Sequence, residues 1–225
     1  MKLLLTSAGV QNPSIEAALV ELVGRPIAES TALAIPTAAY SHPSITPDMS
    51  LRFLTGESTT PMVDLGWKSV GILELTALDS IGPDRWQKWV SGADALLASG
   101  GDALYLAHWM RKSGLADFLT TQPNLVWVGL SAGSMAMTPR VGTDFVERWL
   151  PPEGGDEALG LVDFSIFPHL DHPMLPENTM ANAERWAEEI GGAAYAIDDA
   201  TAIRVVDGTV DVISEGHWRK LRDGS

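Results

Sequence analysis

The chain has 225 residues, 45% of them hydrophobic and 20% charged, with a net charge of −14 and no cysteine. That length and balance suit one α/β domain over residues 1–225, and no apolar run approaches the roughly 20 residues needed to span a bilayer. The missing cysteines exclude disulfides, thiolate metal sites and a cysteine nucleophile, while the negative charge, spread along the chain, argues against a nucleic-acid partner.

The apolar stretch at the start is only three leucines long and runs into Gln11-Asn12-Pro13, which is too short for a signal peptide. A buried first strand over Lys2–Thr6 and a cytoplasmic location are expected instead. Ser14–Val23 follows with the spacing of an amphipathic helix, and Ser14 stands near its N-cap. Ala32–Pro36 and Val70–Leu75 read as the second and third strands, separated in part by the Ser-, Thr- and Pro-rich segment Ser41–Thr60, which reads as a long loop. Arg85–Val90 belongs to a helix, Ala93–Ala98 is the fourth strand, and Gly100-Gly101 ends it. Asp102–Leu119 has the spacing of one long helix.

Leu125–Leu130 reads as a central strand, and Val162–Phe167 as another. Asn178–Ile190 is helical and closes at Gly191-Gly192. The tail holds strands at Ala194–Asp198, Ala202–Val206 and Thr209–Ile213, the last two joined as a hairpin through Asp207-Gly208. Short apolar runs alternating with helical patterns are the signature of a parallel sheet covered on both faces.

The central strand runs into Gly129-Leu-Ser-Ala-Gly133. A serine between two glycines at this spacing, after a strand and before small helix-compatible residues, marks a nucleophile elbow that would lift Ser131 out of the sheet. A serine hydroxyl needs a base to take its proton. Among His42, His108, His169, His172 and His217, His169 stands out, because it ends the strand in Ser-Ile-Phe-Pro-His at the edge where open α/β sheets place their sites. His172 competes from the following loop, His108 falls inside a helix, and His42 and His217 stay open.

The base needs a carboxylate partner. Asp144, thirteen residues after Ser131, is the first candidate by chain order, with Glu147 and Asp171 as rivals. Backbone amides must face the developing oxyanion. The N–H of Ala132 is one natural donor, and Gly100-Gly101, at the end of the neighbouring strand, can supply the second.

Ser99-Gly100-Gly101-Asp102, then Gly129-Leu-Ser-Ala-Gly133, then Phe167-Pro-His169 resemble, in that order, the peptidase E family of serine peptidases, which includes aspartyl dipeptidases and cyanophycinase relatives. The resemblance covers most of the chain. It implies a fold like that of class I glutamine amidotransferases, a flavodoxin-like three-layer sandwich, with serine in place of cysteine at the elbow and here a C-terminal β-hairpin. It further implies Ser131 as nucleophile, His169 as base, Gly101 and Ala132 as oxyanion-hole amides, and an acid downstream of the serine, where Asp144 lies. Asp102 stands where peptidase E proper has asparagine. A preference for an N-terminal aspartate would require a cation in the site, and Arg140, Arg52 and Lys68 are the candidates.

The expected activity is hydrolysis of short peptides by a serine peptidase, with no cofactor or metal. The expected partner is a small peptide, with no nucleic acid or membrane, and the chain would act as a monomer or homodimer. An α/β-hydrolase esterase also uses Gly-x-Ser-x-Gly. Yet only 38 residues separate Ser131 from His169, and much strand pattern follows the histidine. A non-catalytic binding module on the same scaffold is the third reading.

Overall fold

The computed structural model describes residues 1–152 and 154–224. Its strands, in chain order, are β1 (Lys2–Thr6), β2 (Thr31–Ile35), β3 (Ser69–Ile72), β4 (Ala95–Ala98), β5 (Val126–Leu130), β6 (Phe164–Phe167), β7 (Ala193–Ile197), β8 (Thr201–Val206), β9 (Thr209–Ser214) and β10 (Trp218–Arg222). The helices are α1 (Pro13–Val23), α2 (Pro47–Thr55), α3 (Leu78–Ile81), α4 (Pro83–Ser91), α5 (Ala103–Lys112), α6 (Leu115–Thr120), α7 (Ala132–Met135) and α8 (Met180–Ile190). None is long and apolar enough to cross a membrane.

A seven-stranded sheet runs in the order β3-β2-β4-β5-β1-β8-β9. Its first five strands are parallel, and the expected β8–β9 hairpin adds two antiparallel strands at one edge. Leu3, Leu4 and Leu5 are all fully buried. Alternate residues serve opposite faces of the sheet. Leu3, Leu5, Leu96 and Trp127 pack with α5 and α6 on one side, while Leu4, Leu97, Val126 and Val128 pack with α1 on the other. Burial of both faces turns these strands into continuous apolar runs, which is why they are easy to read.

Register brings the functional segments together. Ala98 pairs with Gly129, and Thr6 pairs with Leu130. The residues just past β4, β5 and β1 therefore emerge side by side at one edge. A second sheet, β10-β7-β6, joins from the side, with β6 and β7 parallel and β10 antiparallel to β7.

Several local expectations change. The N-cap of α1 is Asn12, whose side chain accepts from the Ile15 amide at 3.0 Å, with Pro13 in the first turn where its missing N–H costs nothing. The expected long helix over 102–119 is two helices, broken at Gly114 with φ 76°. The segment expected as a loop over 41–60 contains α2, capped by Thr46 and ended by Gly56 at φ 75°. Phe53 is its sole buried residue among those described, and the Ser-, Thr- and Pro-rich surroundings of α2 hide it as a helix. Strand β10, Trp-Arg-Lys-Leu-Arg, is basic and exposed at four of its five residues, so it has no apolar run to mark it as a strand.

The turn between β7 and β8 is fixed by Asp198, which is 8% exposed. Its carboxylate accepts from the Thr201 hydroxyl at 2.5 Å, the Ala200 amide at 3.2 Å and the His217 amide at 2.7 Å. Truncation would leave those donors unpaired at the junction of the two sheets. Asp198→Ala should lower unfolding stability by about 3 kcal/mol, by the cost of losing hydrogen bonds to a charged acceptor, as measured in a urea titration. A loss under about 0.5 kcal/mol, the range of an ordinary surface change, would contradict this role.

Candidate active site

Ser131 sits directly after β5 with φ 49° and ψ −108°, a conformation that L side chains rarely adopt. Three backbone bonds hold it there. Its amide donates to the Thr6 carbonyl at 3.0 Å, and its carbonyl accepts from the amides of Ser134 and Met135 at 2.9 Å each. The flanking glycines are required by contact. A Cβ on Gly129 would lie 2.5 Å from the Gly133 carbonyl oxygen, and one on Gly133 would lie 2.6 Å from that of Ala98. The elbow motif is thus a packing solution for strand, turn and helix together.

Beside it, Gly101 follows β4 at φ 139°, and a Cβ there would collide with the Ala38 carbonyl. Among the described residues neither the Gly101 amide nor the Ala132 amide has an acceptor. Both are therefore free to donate to a ligand. Asp102 caps α5 through the Tyr105 amide at 2.9 Å and is 1% exposed. Burial pushes its carboxyl up, against the lowering effect of the Tyr105 amide and the Ser41 hydroxyl.

His169 follows β6 with φ 55°, a second left-handed non-glycine residue at the same edge. Its Nδ1 lies 2.7 Å from Asp199 Oδ1, which leaves Nε2 as the nitrogen available to the cavity. Burial raises the Asp199 carboxyl, but the hydrogen bond and charge of His169, helped by the Ser7 hydroxyl, outweigh it and hold the group below its ordinary value. His172 Nε2 stands 3.5 Å from the other oxygen of the same carboxylate.

Ser131, His169 and Gly101 line one cavity of about 390 Å³, within the range of small-molecule sites. Its roof comes from the segment around α2, with Ile45, Met49 and Phe53 as apolar wall and Arg52 and Glu57 as charged groups. Ser99, 4% exposed, also lines it and carries a hydroxyl with no partner among the described residues.

The other expected residues lie elsewhere. Asp144 pairs with Arg185 at 2.9 Å and lines a separate hollow. The carboxylate on His169 is that of Asp199 and not that of Asp144. The physical reason is topological: Asp144 follows the elbow helix toward α8, whereas the turn after β7 lies beside β6. Glu147 faces His42 at 3.4 Å, and Asp171 binds His217 at 3.0 Å. Of the candidate cations, Arg140 is engaged by Asp156 at 3.0 Å, Lys68 is absent from the cavity wall, and Arg52 lines it while pairing with Asp48 at 2.8 Å. Two residues escaped the sequence reading, Asp199 and Ser7. The signal for Asp199 was present in the Asp-Asp doublet directly after the Ala193–Ile197 strand, by the same strand-terminus rule that singled out His169. Ser7 also follows a strand, β1, but a lone serine there has nothing to set it apart.

Solved structures share this architecture. A crystal structure of a protein from Listeria monocytogenes EGD-e, provisionally named peptidase E, superposes with a TM-score of 0.67 at 19% identity, covering 96% of this chain and 98% of that one. A peptidase from an acI-B1 Actinobacterium superposes with a TM-score of 0.70 at 21% identity, covering 98% and 90%. In sequence, Peptidase E of Nostoc sp. (strain PCC 7120 / SAG 25.82 / UTEX 2576) is 23% identical over 131 residues, 55% of this chain. The chain spans about half (54%) of the length of that relative. The family model for peptidase family S51 matches residues 3–213, nearly the whole chain. The chain belongs to peptidase family S51.

Proposed function

We propose that the protein is a serine peptidase that hydrolyses short peptides through an acyl-enzyme. The observation that carries this reading is the meeting, in one cavity, of Ser131 on its strained elbow with a histidine already paired to a carboxylate. His169 Nε2 takes the proton of Ser131 Oγ as the oxygen attacks the scissile carbonyl carbon. The carbonyl π electrons move to oxygen, and the amides of Gly101 and Ala132 donate to the resulting oxyanion. Collapse expels the amine, which takes the proton back from His169. Water then repeats the sequence on the ester, with His169 again as base, and releases the acid and the free serine.

Asp199 holds the Nδ1–H tautomer and offsets the imidazolium charge. Its depressed pKa fixes the pH range of that service. The carboxylate is ionised above its ordinary value, about 3.9, and its contribution disappears only as pH falls through the still lower folded value. The pair therefore persists across the neutral range, where a histidine base works.

The cavity suits a short peptide, and Arg52 on its wall gives an acidic side chain a cation to meet. An N-terminal aspartate is the substrate residue this favours. The first test is hydrolysis of a panel of dipeptides and short peptides, Asp-X members included, by wild type and Ser131→Ala. Cleavage lost in the variant is expected, while turnover that survives it, or a folded wild type inert on every member, would sink the reading.

Asp199→Asn should lower kcat by about 10⁴, the cost when the tautomer is lost in a triad, with Asp144→Asn within about twofold of wild type. The reverse pattern would return the role to Asp144. Arg52→Gln should raise KM for Asp-X dipeptides about tenfold, as expected for one lost charged contact, and leave uncharged dipeptides unchanged. An equal effect on both classes would remove Arg52 from substrate selection.

A further inference from the structure

Ser7 lies immediately after β1, fully buried, and its hydroxyl serves three groups at once. It accepts from the His169 backbone amide at 2.7 Å, donates to Asp199 Oδ1 at 2.8 Å, and lies 3.3 Å from His169 Nδ1. The bonds join three separate segments: the end of β1, the His169 turn just past β6, and the turn after β7. Thr6 is paired with Leu130, so Ser7 and Ser131 are neighbours across the two strands. One side chain thus ties the base and its carboxylate, both delivered by the second sheet, to the strand beside the nucleophile.

We infer that Ser7 is a positioning residue of the reaction, which fixes His169 and Asp199 against Ser131 and moderates how strongly Asp199 holds the histidine. This rests on the serine peptidase reading above. Two functions follow from two different bonds. Through the His169 amide, the hydroxyl anchors a residue whose φ of 55° is unfavourable without support. Through Asp199 Oδ1, it shares the oxygen that also receives His169 Nδ1–H. Two donors on one carboxylate oxygen divide its charge, so loss of the hydroxyl leaves more of it for the imidazolium. The wild-type arrangement gives a base whose placement is fixed through both bonds.

The surrounding charges leave that balance to Ser7. His172 faces the opposite oxygen, Oδ2, at 3.5 Å. Asp198, although adjacent in sequence, is taken up by Thr201 and His217. Asp171 is held on His217 as well. Ser7 is the residue whose bonds reach both His169 and the shared oxygen.

The test needs no knowledge of the substrate. Histidine titration is followed by NMR on ¹⁵N-histidine-labelled wild type, Ser7→Ala, Ser7→Cys and Ser7→Thr, and phosphonylation of Ser131 by a small fluorophosphonate is followed against pH on the same proteins. In Ser7→Ala the His169 titration should move to higher pH by about one unit, the scale of one hydrogen bond to a charged group. The acid limb of the labelling rate should move with it, and the limiting rate should fall about tenfold or more, as for a general base out of place. Ser7→Cys keeps the volume with a weaker donor and should shift the same way by less, while Ser7→Thr, which keeps the hydroxyl, should restore the wild-type curve. A titration within about 0.2 units of wild type in both the Ala and Cys variants, or a Thr variant that behaves like Ala, would overturn the role. Wild type left unlabelled at Ser131 would overturn the serine peptidase reading and with it a role for Ser7 in that reaction, whereas labelling with unmoved titration overturns the Ser7 role alone.

Discussion

The site depends on a single structural junction, where the second sheet meets the end of β1. Ser131 and the amides of Gly101 and Ala132 stand at the end of the seven-stranded sheet, placed by strand register and by the close packing of the flanking glycines. His169 and Asp199 belong to a different sheet. They face the serine because the core of Leu3, Leu5 and Trp127 continues into Phe164, Ile166 and Ile197 of β6 and β7, and because the Ser7 hydroxyl and the Asp198 carboxylate add hydrogen bonds around the contact. A serine and a histidine on separate sheets need such a tie, since neither sheet constrains the other through its own ladder.

The two halves store strain in the same way. Ser131 at φ 49° and His169 at φ 55° each occupy backbone conformations that cost on the order of 1–3 kcal/mol. Each is bonded on both sides to a rigid neighbour: Ser131 to Thr6 and the first turn of α7, His169 to Ser7 and Asp199. Strain of this size persists only where the surroundings over-determine it. Here the reward is that both reactive side chains leave their strands at angles that a regular strand end would not give, and they open into one cavity.

How much of this can be read from sequence follows from where the physical signal lies. Parallel strands buried on both faces write themselves as apolar runs, so β1, β2, β4 and β5 were plain, and the elbow was plain because two glycines must flank it for contact reasons. Helix α2 and strand β10 were not, because α2 sits in a Ser-, Thr- and Pro-rich segment and β10 is basic and mostly exposed. Asp144 was favoured by chain order, a measure of sequence distance, but the partner of a histidine is decided by which strand lies next to it. β6 pairs with β7, 26 residues beyond it, and no local pattern in Val162–Phe167 announces that pairing. Ser7 is the extreme case: a lone serine after a strand, given its meaning entirely by three partners more than 160 residues away.

The same topology explains why the roof of the cavity can vary independently of the chemistry. Ser131, Gly101, His169 and Asp199 all stand at strand termini, locked by ladders and buried bonds. The roof is α2 and its flanks, inserted between β2 and β3, with one buried anchor in Phe53 and an exposed Arg52–Asp48 pair. Substitution there meets few core contacts, so it can reshape the cavity wall without moving Ser131 or His169. Arg52 and Glu57 on that roof place opposite charges along one cavity wall. The cavity thus joins a floor set by strand register to a roof held by a single buried anchor.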